Sequence, residues 1–519
     1  MNRKKIIIYL LVIILIAIGF RVFWLGKRGV YFPDETRYYR YTVEGCSVLR
    51  NGGLKDAIKF AGNTFTAKPA HTMLGIIWMN FFGAKAHSAL GMNAFFGALT
   101  VLVIFIVTRK FYTETAALIS ALILALSPLH IYYSRSFMSH TDQTFFIMLA
   151  FYLYALPLIR KRGAVMLRFA GGFLLGTAFG IHPTTAIYII AFFVYELLLL
   201  FIDRSRGLRS KIAAFTAFFT AFMIAPLTFL AFNRDYFNKF MWVMNEAKVV
   251  VAQRKSAPVP FILSRITPVY EGGVFMLLAV FASGYFIYRI VKHRKPLDLL
   301  ILLQSLGMFF YWEFLSIHER FSRQIVAVIP FFAITIGVFI DGLRLKNLRI
   351  ANIVKTALIL VVIAGSSYSA TMMLATTKNE YPKLEEFIKS QTSGVKITTS
   401  SEYFAGAKDV LMPSLKTGIA WLNEKSQICD AVKNEGLDLL IIYPGDWLYK
   451  PELRFKTPPV FTVKEPQYTY FAEFYEGLCF SNRLDLLKYR DNPFSYSIGV
   501  YKLSDSLKKE IIMQKAYIE

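Results

Sequence analysis

Two adjacent carboxylates, Asp34 and Glu35, stand in the stretch YFPDETRYYRYT at residues 31–42, with Arg37, Arg40 and four tyrosines around them. The stretch directly follows the first apolar run of the chain, so its charges fall where a membrane helix ends and are costly there unless something uses them. A carboxylate at that depth can take the proton of an acceptor hydroxyl, or it can hold a divalent cation such as Mg2+ or Mn2+. The residue types alone admit both. Acidic residues at the C-terminal end of a helix oppose its macrodipole, so simple capping does not account for the pair.

Three other stretches carry charge at what should be the same depth. Lys68, in NTFTAKPAHT, suits a lipid phosphate, or lies along the interface as an ordinary snorkelling side chain. SPLHIYYSRSFMSHTDQTFF, residues 127–146, supplies Arg135, His140 and Asp142. IHERFSRQIVAVIPFF, residues 317–332, supplies Glu319, Arg320 and Arg323. The planar fork of arginine matches phosphate, although Glu319 and its neighbours can equally form an internal ion pair. Carboxylates beside several Lys and Arg suit a substrate that carries a phosphate and reacts with a hydroxyl. A lipid-phosphate sugar has that chemistry. A soluble nucleotide sugar, supplied from the cytoplasm, fits poorly.

The elements that must position these residues are membrane helices. Of the 519 residues 55% are hydrophobic and only 18% charged, with a mean hydropathy of +0.45; a soluble enzyme carries roughly a quarter charged residues. The first apolar run is too long for a signal-peptide core and lacks a cleavage site, so it reads as a retained helix. Runs long enough to span lie near 5–26, 88–108, 115–134, 140–159, 211–232, 269–291, 297–316, 323–342 and 351–375. The stretch 168–202 is too long for one span and breaks at GIHPTT, where Pro183 disfavours helix at His182, giving two more and eleven in all. The formal charge of +25 is concentrated in short connectors such as RKRG and DRSRGLRSK. That is the positive-inside pattern of a membrane protein rather than a nucleic-acid footprint. With these connectors cytoplasmic, the N-terminus is inside, the first outer loop runs over 27–87 with an interfacial helix near 70–84, and the C-terminus is outside.

From 378 onward the pattern changes. NEYPKLEEFIKS reads as an amphipathic helix, and VKITTSS, LDLLIIYPGD, PPVFTVKE and SYSIGVYKL read as strands. The expectation is a membrane domain over 1–377 and a small extracytoplasmic α/β domain over 378–519. Cys46, Cys429 and Cys479 form no metal motif, and the last two can pair in an oxidising compartment.

DETRY after the first helix, KPA, FFGALTVLVIFIVTRKFY, LSPLHIYYSRSFM, GGFLLGTAFGIHPT and RFSRQIVAVIPFFAI occur in an order that resembles the GT-C glycosyltransferases, in the branch of protein O-mannosyltransferases and lipid A aminoarabinose transferases. The resemblance covers roughly residues 1–375. It implies an inverting transfer of a sugar from a polyprenyl-phosphate donor to a protein, lipid or glycan hydroxyl outside the cytoplasm. It implies Asp34 as catalytic carboxylate and Glu35 as its partner. Arg37 and Tyr38 complete the motif, Arg37 as a candidate phosphate contact, and Lys68 lies near the donor phosphate; Arg135, Arg320 and Arg323 are further candidate phosphate contacts by their own chemistry. Relatives place a second acidic residue about five positions after the Arg of the turn between the third and fourth helices. Here His140 stands there and Asp142 lies two further on, so a second site would use Asp142 or His140, and any metal Asp34 and Asp142. A transporter or lipid flippase is the alternative; the GIHP break favours it, whereas the outer-face clustering of ionisable residues does not.

Overall fold

The computed structural model describes residues 2–30, 33–64, 68–159, 163–202, 208–232, 272–310, 322–344 and 347–377 of the helical part. In the C-terminal part it describes 379–391, 395–416, 418–422, 425–434, 436–444, 453–464 and 497–516, with the single residues 238, 241 and 492. Glu319, Arg320, the segment 242–271 and Cys479 lie outside the described residues, as does the side chain of Cys429. The chain divides into two compact units, one formed by Met1–Leu25 and Tyr41–Met373 and the other by Gly26–Arg40 and Leu374–Glu519.

The first unit is helical. Its elements are α1 (Arg3–Val22), most of α3 (Pro33–Asn63), α4 (Pro69–Phe82), α5 (Ala86–Phe111), α6 (Glu114–Leu126), α7 (Pro128–Ser134) and α8 (His140–Ala155). These are followed by α9 (Ala164–Ile181), α10 (Thr185–Ile202), α11 (Leu208–Phe232), α12 (Gly272–His293) and α13 (Pro296–Phe310). A 3-10 turn over Ser322–Val328 then leads into α14 (Ile329–Gly342) and α15 (Leu348–Thr376). Every expected span meets a helix. Among the described residues six helices are long and apolar enough to cross a membrane, seven if α6 and α7 count as one. The chain is a membrane protein.

The run 115–134 is not one straight helix, as expected, but α6 and α7 bent by 60° at Ser127. Pro128 removes the N–H that would continue α6, and the Ser127 hydroxyl accepts from the His130 N–H at 3.2 Å to start the new helix. The break at GIHPTT is where the sequence places it, between α9 and α10. Small residues let helices approach closely: a Cβ on Gly172 or Gly176 of α9 would collide with the carbonyls of Phe218 and Phe222 in α11. Residues 33–63 form a helix with a kink at Gly53, whose φ of 80° only glycine adopts without strain. The short helix expected near 70–84 is α4.

The second unit holds α2 (Leu25–Arg28, from Gly26 on), the first residues of α3 and the C-terminal segment. That segment runs α16 (Tyr381–Ser390), β1 (Ile397–Thr399), α17 (Glu402–Leu411), β2 (Ile419–Trp421), α18 (Lys425–Asn434), β3 (Leu439–Ile442), β4 (Phe461–Lys464), β5 (Ser497–Lys502) and α19 (Asp505–Ala516). The five strands form one mixed sheet in the order β2-β1-β3-β5-β4. β1 is parallel to β2 and β3, while β5 runs antiparallel to both β3 and β4. β1, β3 and β5 are buried on both faces, which is why LDLLII and SIGVY read as continuous apolar runs. The Asn379 N–H donates to the Lys27 carbonyl at 3.1 Å, tying the segment after the first helix to the start of this sheet domain.

Candidate active site

Asp34 and Glu35 lie in the first turn of α3. This overturns the electrostatic reading drawn from the sequence: the acids begin a helix, where the macrodipole favours negative charge, rather than end one. The sequence hid this because an apolar helix, the short α2 and a second helix follow one another within a few residues. The two carboxylates differ in surroundings. Glu35 is fully buried and pairs with the buried Arg28 at 2.8 Å, and the same Arg28 nitrogen donates to the Gly29 carbonyl at 2.9 Å. Asp34 is half-buried, Arg37 exposed and Tyr38 buried. Of the pair, Asp34 is the more exposed, while Glu35 is held by Arg28.

Arg135 is anchored to the backbone at the end of α1. One of its terminal nitrogens donates to the carbonyls of Phe20, Arg21 and Phe23 at 3.1, 3.2 and 2.7 Å. The guanidinium therefore closes the C-terminal end of α1, where carbonyls lack helical partners. Arg21 is likewise buried and bonds the His130 ring at 2.8 Å.

Of the remaining predicted residues, Lys68, His140, Asp142 and Arg323 come together in the helical unit with two that the sequence did not single out, His71 and His182. His71, on the first turn of α4 after Lys68, donates through Nδ1 to Asp142 Oδ2 at 2.7 Å, both side chains having no exposed surface. Asp142 is on the first turn of α8. The His140 ring stands edge-on to His182 at 4.6 Å and to Tyr133 at 5.7 Å. Lys68, Arg323 and His71 all lie within electrostatic reach of His140 and His182. Gln143 fixes the turn that carries His182, donating to the hydroxyls of Thr184 and Thr185 at 3.0 and 2.9 Å. From α5, Asn93 donates to the carbonyls of Ser136 and Met138, tethering the loop that leads to His140. The sequence signal for His71 was its place three residues after Lys68. Its partner is 71 positions away, a distance over which no local pattern runs.

Lys68, Arg323 and three histidines bring several hydrogen-bond donors together here, so the cluster suits an anion. A Mg2+ or Mn2+ on the second oxygen of Asp142 would sit beside those cations and the His71 ring, so this donor set does not fit a divalent metal. Among the described residues no three His, Cys, Asp or Glu side chains are grouped to hold a metal ion.

Residues 69–229, under a third of the chain, match the family model described as dolichyl-phosphate-mannose-protein mannosyltransferase. The match takes in His71, Arg135, His140, Asp142 and His182 but not Asp34, Glu35 or Lys68. The structure is similar to the oligosaccharyltransferase AglB of Archaeoglobus fulgidus in complex with an inhibitory peptide and a dolichol-phosphate, with a TM-score of 0.58 at 14% identity over 87% of this chain and 71% of that one. It is also similar to ArnT of Cupriavidus metallidurans bound to undecaprenyl phosphate, with a TM-score of 0.52 at 14% identity over 88% of this chain and 96% of that one. The fold is that of the GT-C membrane glycosyltransferases. No curated protein sequence matches the chain. Within the GT-C fold the break between α9 and α10 has a place of its own, since it sets His182 against His140.

Proposed function

We propose that the chain transfers a sugar, with inversion, from a polyprenyl-phosphate donor to a hydroxyl of a protein, lipid or glycan acceptor on the extracytoplasmic face of the membrane. The observation that carries the reading is the cluster of Lys68, Arg323 and three histidines, assembled at helix ends within a GT-C fold. AglB and ArnT, the similar structures, hold dolichol-phosphate and undecaprenyl phosphate respectively, which supports a lipid phosphate as the anion.

In this reading the acceptor oxygen attacks the anomeric carbon and Asp34 takes its proton. The carbon–oxygen bond to the phosphate breaks, its electron pair stays on the phosphate oxygen, and Lys68 and Arg323 stabilise the charge that develops there. Glu35 acts through Arg28 to hold the turn that carries Asp34. Arg37 and Tyr38 complete that turn, and Arg320 remains a candidate phosphate contact by its place in the sequence. No step uses a metal. The basic connectors support a cytoplasmic N-terminus and an extracytoplasmic sheet domain over 378–519.

The test is transfer of labelled sugar from a polyprenyl-phosphate donor in membranes carrying the protein. Asp34→Asn should abolish transfer at unchanged protein level; full activity in that variant removes the assignment.

A further inference from the structure

His140 is 2% exposed, and among the described residues neither of its ring nitrogens has a hydrogen-bond partner. Buried polar groups are ordinarily satisfied, and leaving one unmade costs about 1–3 kcal/mol. An imidazole carries two such atoms, so a histidine kept only for packing would be better replaced by phenylalanine. The ring is nonetheless held firmly, edge-on between Tyr133 and His182. Packing fixes its plane while the described residues give neither nitrogen a partner.

His182 adds a donor of known tautomer. Its Nδ1 accepts the Thr184 backbone N–H at 3.2 Å, so in the neutral ring the proton is on Nε2. Each neutral ring therefore offers one imidazole N–H, the ring centres being 4.6 Å apart, with Lys68 and Arg323 within electrostatic reach of both. The nearby carboxylate, Asp142, is occupied on one oxygen by His71. Donors without a matching acceptor, in positive surroundings, are the complement of a phosphate oxygen.

We infer that His140 and His182 are ligands of the phosphate monoester released by the reaction, each donating an N–H to its oxygens. This deepens the proposed function and rests on it. At the position of His140 a carboxylate would repel the anion, whereas histidine adds a donor. No covalent bond is made or broken by either ring, and their contribution grows as negative charge gathers on the leaving oxygen.

The experiment is calorimetric binding of farnesyl phosphate, with inorganic phosphate as a second titrant, to the purified full chain in detergent. His140→Phe keeps the aromatic contacts with Tyr133 and His182 but removes the donors. It should weaken farnesyl phosphate binding about tenfold or more, the worth of a hydrogen bond to a charged group. His140→Gln restores an N–H and should recover most of the affinity, a rescue that a merely packed ring would not show. Equal affinity in wild type and His140→Phe overturns the inference, as does His140→Gln binding no better than His140→Phe. Should His140→Phe fail to fold, His182→Gln against His182→Ala makes the same comparison from the turn, with the same two outcomes. Binding of inorganic phosphate as tight as farnesyl phosphate would replace the lipid with a free anion as the ligand. Loss of farnesyl phosphate binding from wild type itself would sink the proposed donor rather than the two histidines alone.

Discussion

Glu35→Gln should destabilise the protein far more than Asp34→Asn, although the two residues are neighbours in one motif. Glu35 and Arg28 are 0% and 1% exposed and their charged atoms are 2.8 Å apart. At an effective dielectric of about 20, unit charges roughly 4 Å apart attract by about 4 kcal/mol. Removing one partner of a buried pair leaves the other charge unneutralised, at a measured cost of about 3–5 kcal/mol. Glu35→Gln and Arg28→Met should each lower stability by about that amount, read by thermal or denaturant unfolding in detergent. The double variant should cost less than the two together by at least about 1 kcal/mol, because no charge is then stranded. Asp34→Asn, half-buried and outside that pair, should stay within about 1 kcal/mol of wild type. Additive costs in the double variant, or a loss in Asp34→Asn equal to that in Glu35→Gln, would refute this division of the motif.

Arg135→Met removes three bonds to the carbonyls at the end of α1. It should lower stability by at least about 2 kcal/mol while leaving the Michaelis constant for the donor unchanged in the folded fraction; a raised constant without loss of stability would return Arg135 to the phosphate. In the sheet domain, burial alone would push the Glu380 carboxyl up, but Lys383 and the Lys464 backbone N–H, which donates at 2.8 Å, outweigh it and hold the group below its usual value. A depressed carboxylate stabilises the folded state above its unfolded value and loses that contribution as pH falls through the folded one. The unfolding temperature of wild type should therefore drop more steeply between about pH 5 and pH 3 than that of Glu380→Gln, and parallel curves would count against it.

Which parts of this protein could be read from its sequence follows from the range of the interactions involved. The helices are legible because burial in lipid demands about 20 apolar residues regardless of tertiary context, and the strands at 397–399, 439–442, 461–464 and 497–502 carry their own apolar or β-branched runs. β2 is three residues long with two of them exposed, so it leaves no such mark. Asp34 was singled out on the electrostatics of a helix end, whereas its helix begins where another was taken to end. Glu35 and Arg28 are only seven residues apart, yet their pairing depends on the turn between α2 and α3, which hydropathy does not encode. Arg135 reaches carbonyls more than a hundred residues away, and the His71–Asp142 pair joins α4 to α8; both are products of helix packing. His140 looked like a missing acid, whereas its position beside His182 depends on the α9–α10 break, which the sequence did show.

The central claim is sugar transfer from a lipid phosphate with Asp34 as base. It is tested most directly by measuring, in membranes containing equal amounts of folded wild-type and Asp34→Asn protein, the label passed from a polyprenyl-phosphate sugar to acceptor. The account predicts a fall of about a hundredfold or more in Asp34→Asn, with farnesyl phosphate binding retained. Transfer at the wild-type rate in Asp34→Asn would contradict it.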